Sequence, residues 1–147
     1  MRSAWTAAWV AVAVLLLAPA ASEAADSPLP VRIRVIQGSR QGTPGVPPGL
    51  EDLRGQLSAT AYVRWEQAGE VQASMLPKKP VSVALPGGES VTVTLIESRS
   101  GAATFEVSAP ASRTQSRVTV APGKRIVQQV TAERGGSAWF VTIRAGG

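Results

Sequence analysis

Apolar positions along the chain recur at two spacings. Val31, Ile33 and Val35 alternate with Arg32 and Arg34, which predicts a first strand with one buried and one solvated, basic face. Residues 37–49 are rich in Gly and Pro and read as an exposed loop longer than most connections. Leu50, Leu53 and Leu57 then follow at spacings of three and four, with Glu51 and Asp52 early in the segment, where carboxylates favour a helix N-terminus. The pattern predicts one short amphipathic helix over 49–59. Gly55 in its middle costs about 1 kcal/mol relative to Ala.

Period two returns from Thr60. Segments 62–66 and 70–76 read as a hairpin turned at Ala68-Gly69. Further strands are predicted over 81–85, 91–95, 105–107, 117–121, 126–132 and 138–144. Pro86-Gly87-Gly88, Gly101, Pro122-Gly123 and Gly135-Gly136 supply the turns between them. Turn signals at roughly 8–14-residue intervals favour an antiparallel sheet protein. The predicted class is mainly β: an antiparallel β-sandwich or open barrel of about 7–9 strands, with one short helix after the first strand. Segments 81–109 and 117–145 share the order strand, Pro-Gly turn, strand, Gly turn, strand. Phe105 aligns with Val141, Val107 with Ile143 and Pro86 with Pro122. A β-meander punctuated by Pro-Gly turns produces the same likeness, and two copies are too few for a solenoid.

The N-terminus has a different texture. Arg2 precedes an uncharged run from Trp5 to Ala18, and Val10 to Leu17 is Val, Ala and Leu only. This run is shorter than the about 20 residues that cross a bilayer. Pro19 ends it, and Ser22-Glu23-Ala24 has the small-x-small form of a cleavage site. The expectation is a cleavable signal peptide over 1–24, cut after Ala24 with Ala20 or Ala25 as alternatives. A short leader over 25–30 and a single β-rich domain over 31–145 follow. An uncleaved anchor helix fits the length and the small-residue tail less well. No Cys follows the apolar run, so lipid attachment of the bacterial lipoprotein kind is excluded.

Composition narrows the chemistry. The net charge is +5, and the loss of Arg2 with Glu23 leaves it unchanged. Arg far outnumbers Lys, there is no Asn, and Ala, Gly, Val and Pro abound. That bias suits a high-GC bacterium and an exported protein of the periplasm, with the outer envelope or the medium as alternatives. The chain has no Cys and no His. Disulfide staples, zinc sites with Cys or His ligands, and Ser-His-Asp or Cys-His nucleophiles are therefore excluded.

The remaining candidates for catalysis are weak. Glu66 with Glu97 or Glu106 could in form make a glycosidase pair, but all three alternate with apolar residues as solvated strand faces do. Lys78, Lys79 and Lys124 fall in turns, which do not supply the burial that tunes a catalytic Lys. Gly42, Gly45 and Gly49 lack the strand-to-helix context and Lys of a phosphate loop. The reading is no enzyme, no cofactor and no metal.

The run of strand, Leu85-Pro86-Gly87-Gly88, Val-Thr-Val-Thr strand, Gly turn and closing apolar strand resembles small exported β-proteins of high-GC Gram-negative bacteria. The resemblance covers residues 28–145, rests on turn chemistry, and implies compartment and fold class only.

Two functions are expected from these residues. One is a non-catalytic envelope component binding another protein of a secretion, pilus or motility apparatus. The other is a module binding an anionic polysaccharide or lipid surface. Nucleic acid is not expected as a partner, since few aromatics interleave the basic residues. Candidate contact residues are Arg32, Arg34, Arg64, Trp65, Lys78, Lys79, Trp139 and Arg144. Trp139 and Phe140 should point to opposite strand faces, as should Tyr62 and Trp65. The first strand, 31–35, is a candidate sheet edge for pairing with a neighbouring chain.

Overall fold

The computed structural model describes residues 27–146. The signal segment 1–24 and its cleavage site lie outside the described residues. Among the described residues eight strands form two four-stranded antiparallel sheets that do not close into a barrel. The strands are β1 (Leu29–Ser39), β2 (Arg64–Met75), β3 (Pro80–Ala84), β4 (Ser90–Arg99), β5 (Ala102–Ala109), β6 (Thr114–Val120), β7 (Arg125–Gln129) and β8 (Ser137–Ala145). The first sheet has the order β2-β1-β8-β7 and the second β3-β4-β5-β6. Among the described residues no helix is long and apolar enough to cross a membrane.

Alternation builds the main core. Val31, Ile33 and Val35 on β1 and Val141 and Ile143 on β8 face Val91, Val93 and Leu95 on β4 and Phe105 and Val107 on β5. Each such fully buried side chain contributes roughly 1.5–3 kcal/mol relative to exposure. A second cluster lies on the opposite face of the first sheet, made of Ile36, Leu50, Leu53, Leu57, Tyr62, Trp65, Ala138 and Phe140. The predicted helix supplies its three leucines. It is a 3-10 turn over Pro48–Leu53 running into α1 (Arg54–Ser58), and it covers half of that sheet face.

Three expectations are corrected. The expected hairpin at Ala68-Gly69 is instead one continuous strand, β2. Val35 pairs with Gly69 and Ile36 with Gln67, so Ala68 is accommodated as a bulge and the chain does not reverse. The eleven residues of β1 are long enough to pair both halves of β2. β1 is also an inner strand, hydrogen-bonded to β2 and β8, so it offers no free edge to a neighbouring chain. Finally, Tyr62 and Trp65 do not diverge. Tyr62 precedes β2, outside its alternation, and both rings join Phe140 with centroids 5.0–6.0 Å apart in edge-to-face contacts.

Trp65 fits because its cross-strand partner is Gly38. A Cβ on Gly38 would lie 2.8 Å from the indole, so only Gly lets the ring lie across β1. The two segments with matching strand order are not equivalent in space. β3, β4 and β5 form one meander in the second sheet. Of the later three, β6 stays with β5 while β7 and β8 join the first sheet.

Candidate functional site

The outer face of the first sheet carries a row of arginines on successive strands. Cross-strand pairing places Arg32 on β1 opposite Arg144 on β8, and Arg144 opposite Arg125 on β7. Gln72 on β2 extends the row beyond Arg32. Three guanidinium groups thus stand side by side on successive strands, over roughly 10 Å at the usual strand spacing. Arg34 sits one step along β1 on the same face, opposite Glu70 and Thr142. Like charges directly opposite one another on a sheet are destabilising. Folding alone gives no reason for this row.

Two carboxylates answer these four cations. Asp52, on the 3-10 turn, receives Arg34 Nη2 at 2.7 Å and Nη1 at 3.1 Å, and Arg34 Nη1 also donates to the Gly49 carbonyl at 3.0 Å. Arg125 Nε approaches the same Asp52 Oδ2 at 2.6 Å, close enough for charge attraction but out of hydrogen-bond alignment. Arg34, expected on a solvated face, is therefore buried, at 3% exposure, because the leucine-bearing segment folds over it and delivers Asp52. The hydrogen bond from Arg34, then its charge and that of Arg125, hold the Asp52 carboxyl below its ordinary value. Glu70 accepts a hydrogen bond from Arg32 Nε, which raises the Arg32 pKa and lowers that of Glu70.

Arg144 is left over. It has no ion pair among the described residues, and its Nε is buried without a hydrogen-bond partner. Beside it, at the Pro30 and Gly146 end of the sheet, is an open cavity of about 390 Å³ lined by Arg32, Arg144, Gln72 and Ser74. The arrangement offers two guanidinium groups, an amide and a hydroxyl to a ligand with oxygen acceptors.

The other sequence candidates lie elsewhere. Arg64 pairs with Glu66 at 2.9 Å at the start of β2. Trp65 is 3% exposed and serves the apolar cluster. Its buried ring and Arg64 contribute to a groove of about 720 Å³ with Pro47, Leu50 and Gln67. Lys78 and Lys79 are exposed in the turn between β2 and β3. Trp139 does face away from Phe140, and packs half-buried against the main core. Glu66 belongs to the first sheet, whereas Glu97 and Glu106 belong to the second, beside Arg99 and Arg117.

The structure thus gathers Arg32, Arg34 and Arg144, separates the other five, and adds Arg125. The signal for Arg125 was present: the Gly135-Gly136 turn folds β7 back onto β8, bringing residue 125 near residue 144. Comparison with protein families, curated proteins and solved structures found no significant match.

Proposed function

We propose that this chain is an exported, non-catalytic module that docks on an anionic polysaccharide or lipid surface through the outer face of its first sheet. The observation that carries this reading is the row Arg32–Arg144–Arg125, three like charges held side by side, with one of them unpaired among the described residues. A basic surface chosen only for solubility would scatter its charges, as the strand pairing of this face does not. Export rests on the signal-peptide features of residues 1–24 and favours the periplasm.

The test is retention on an acidic polysaccharide matrix and on anionic vesicles across a salt series. Retention should weaken as salt rises, because exposed charges are screened over about 8 Å at physiological ionic strength. The triple variant R32Q/R125Q/R144Q should elute early, while K78Q/K79Q behaves like the parent. A parent chain that is not retained, or is retained independently of salt, overturns the proposal.

A second reading has one observation in its favour. The groove between Pro47, Leu50 and the start of β2 could take a segment of another envelope protein, as an accessory of a secretion, pilus or motility apparatus would require. A crosslinked envelope pull-down that recovers only the bait counts against it.

A further inference from the structure

We infer that the cavity between Arg32 and Arg144 is a phosphoryl-binding pocket, with Gln72 and Ser74 as its neutral donors. This inference rests on the anion-binding reading above and specifies the group that is recognised.

Four observations point to it. Arg32 and Arg144 are direct cross-strand partners, so their side chains leave the sheet together at a Cβ separation of about 5 Å. Arg32 is engaged through Nε by Glu70, which leaves its terminal nitrogens for another acceptor. Arg144 has no counter-charge among the described residues, and its buried Nε has no acceptor. The cavity is open, and Gln72 and Ser74 line it on the β2 side.

Ligand chemistry then discriminates. A carboxylate carries one negative charge and holds its acceptor oxygens in one plane, as Asp52 does between Arg34 and Arg125. Glu70 likewise accepts from both Arg32 Nε and, at 3.4 Å, Gln72 Nε2, whose second N–H is left for the cavity. A phosphate monoester carries about −1.5 to −2 charge and three acceptor oxygens arranged tetrahedrally. It can take one fork from each arginine and still accept from an amide or hydroxyl. Two adjacent forks with two neutral donors match that demand in charge and in three dimensions, whereas a carboxylate brings a single charge and acceptors in one plane only. Glu70 offsets the charge of Arg32, so the net positive charge of the face rests on Arg144 and on Arg34 and Arg125, which share the single charge of Asp52.

Titration of the full chain with inorganic phosphate, against acetate at matched ionic strength, tests the pocket. The readout is the Arg Nε–Hε region of a ¹⁵N correlation spectrum. Phosphate should produce a saturable shift of the Arg144 resonance, and acetate should not. R144Q should weaken phosphate binding roughly tenfold or more, and R144K, which keeps the charge but loses the fork, should weaken it nearly as much. R32Q provides an independent variant, and circular dichroism identifies any that fails to fold.

Phosphatidate vesicles and free phosphate separate the sources. Vesicle binding that free phosphate competes away assigns the pocket to a lipid phosphomonoester. A phosphate response without vesicle retention assigns it to a phosphoryl group on a glycan or small molecule. Equal responses to acetate and phosphate, or titrations unchanged in R144Q and R32Q, overturn the pocket. A chain retained on carboxylate polymers but indifferent to phosphate loses this inference alone. A chain retained on no anionic matrix loses the anion-binding reading as well.

Discussion

The outer faces of the two sheets share one backbone architecture and differ in what their sequence does with it. On the second sheet the rows are balanced. Ser82, Thr92, Ser108 and Gln115 stand in one row, and Thr94, Glu106 and Arg117 in the next. Glu106 accepts from Gln115 at 2.8 Å and lies 3.8 Å from Arg117, and the Thr104 and Thr119 hydroxyls meet at 3.1 Å. Hydroxyls and two opposite-charge pairs, Glu106 with Arg117 and Glu97 with Arg99, satisfy this face without help from any other element. On the first sheet, half of the outer face is apolar and capped by the leucine-bearing segment, and the other half holds the arginine row. The difference teaches that alternation sets which residues face outward, while covering and charge placement decide what that face is for.

The largest test of the contrast removes Asp52. D52A leaves Arg34 buried with only the Gly49 carbonyl and should destabilise the domain by about 3 kcal/mol in urea titration. The corresponding change on the second sheet, E106Q, should shift stability by less than about 0.5 kcal/mol, because its partner Arg117 is exposed and 3.8 Å away, whereas Arg34 is buried. Equal effects would erase the distinction between the faces.

Asp52 also predicts a pH dependence. Its folded pKa lies below the unfolded value of about 3.9, so the unfolded chain binds the proton more readily. Its stabilisation is therefore complete above that unfolded value and is lost as pH falls from about 4 through the folded pKa. D52N should flatten this acid limb in melts recorded from pH 6 downward. An unchanged limb would assign it to other carboxylates.

Filling Gly38 probes the capped half of the first face. G38A must displace the buried Trp65 ring and should cost about 2 kcal/mol, as overpacking does. Tryptophan fluorescence together with chemical denaturation would show whether the aromatic cluster moves.

The smallest effect has an informative sign. R144Q removes the middle charge of the row and should raise stability by about 0.5 kcal/mol, opposite to its effect on anion binding. R117Q on the second face should do neither. A loss of stability in R144Q would mean that the row is held for packing and not for a ligand.

Much of the fold was legible from residue order. The apolar alternation of 91–95 and of 138–144 and the turn residues at 86–88 and 135–136 each correspond to an observed strand or turn. The three-four spacing of Leu50, Leu53 and Leu57 marked the only helical segment that packs a core cluster among the described residues. Ala68-Gly69 misled because a bulge and a turn use the same small residues. Which one forms depends on whether the flanking halves pair with each other or with a third strand.

The site was legible only in part. Arg32 and Arg34 could be placed on one face of one strand, and Arg144 on another strand, because side chains alternate with period two. Local sequence determined that much about this protein: strands, turns, the covering helix, the absence of Cys and His chemistry, and the candidate arginines. Only the tertiary structure decided that β1 and β8 are neighbours in the middle of one sheet, that Arg34 is buried under Asp52 while Arg144 has no ion pair among the described residues, and that Arg125 completes the row. The physical reason is that period two fixes the side of a strand on which a charge lies, whereas strand order and register fix which charge lies next to it, and those are set by contacts between residues more than a hundred positions apart.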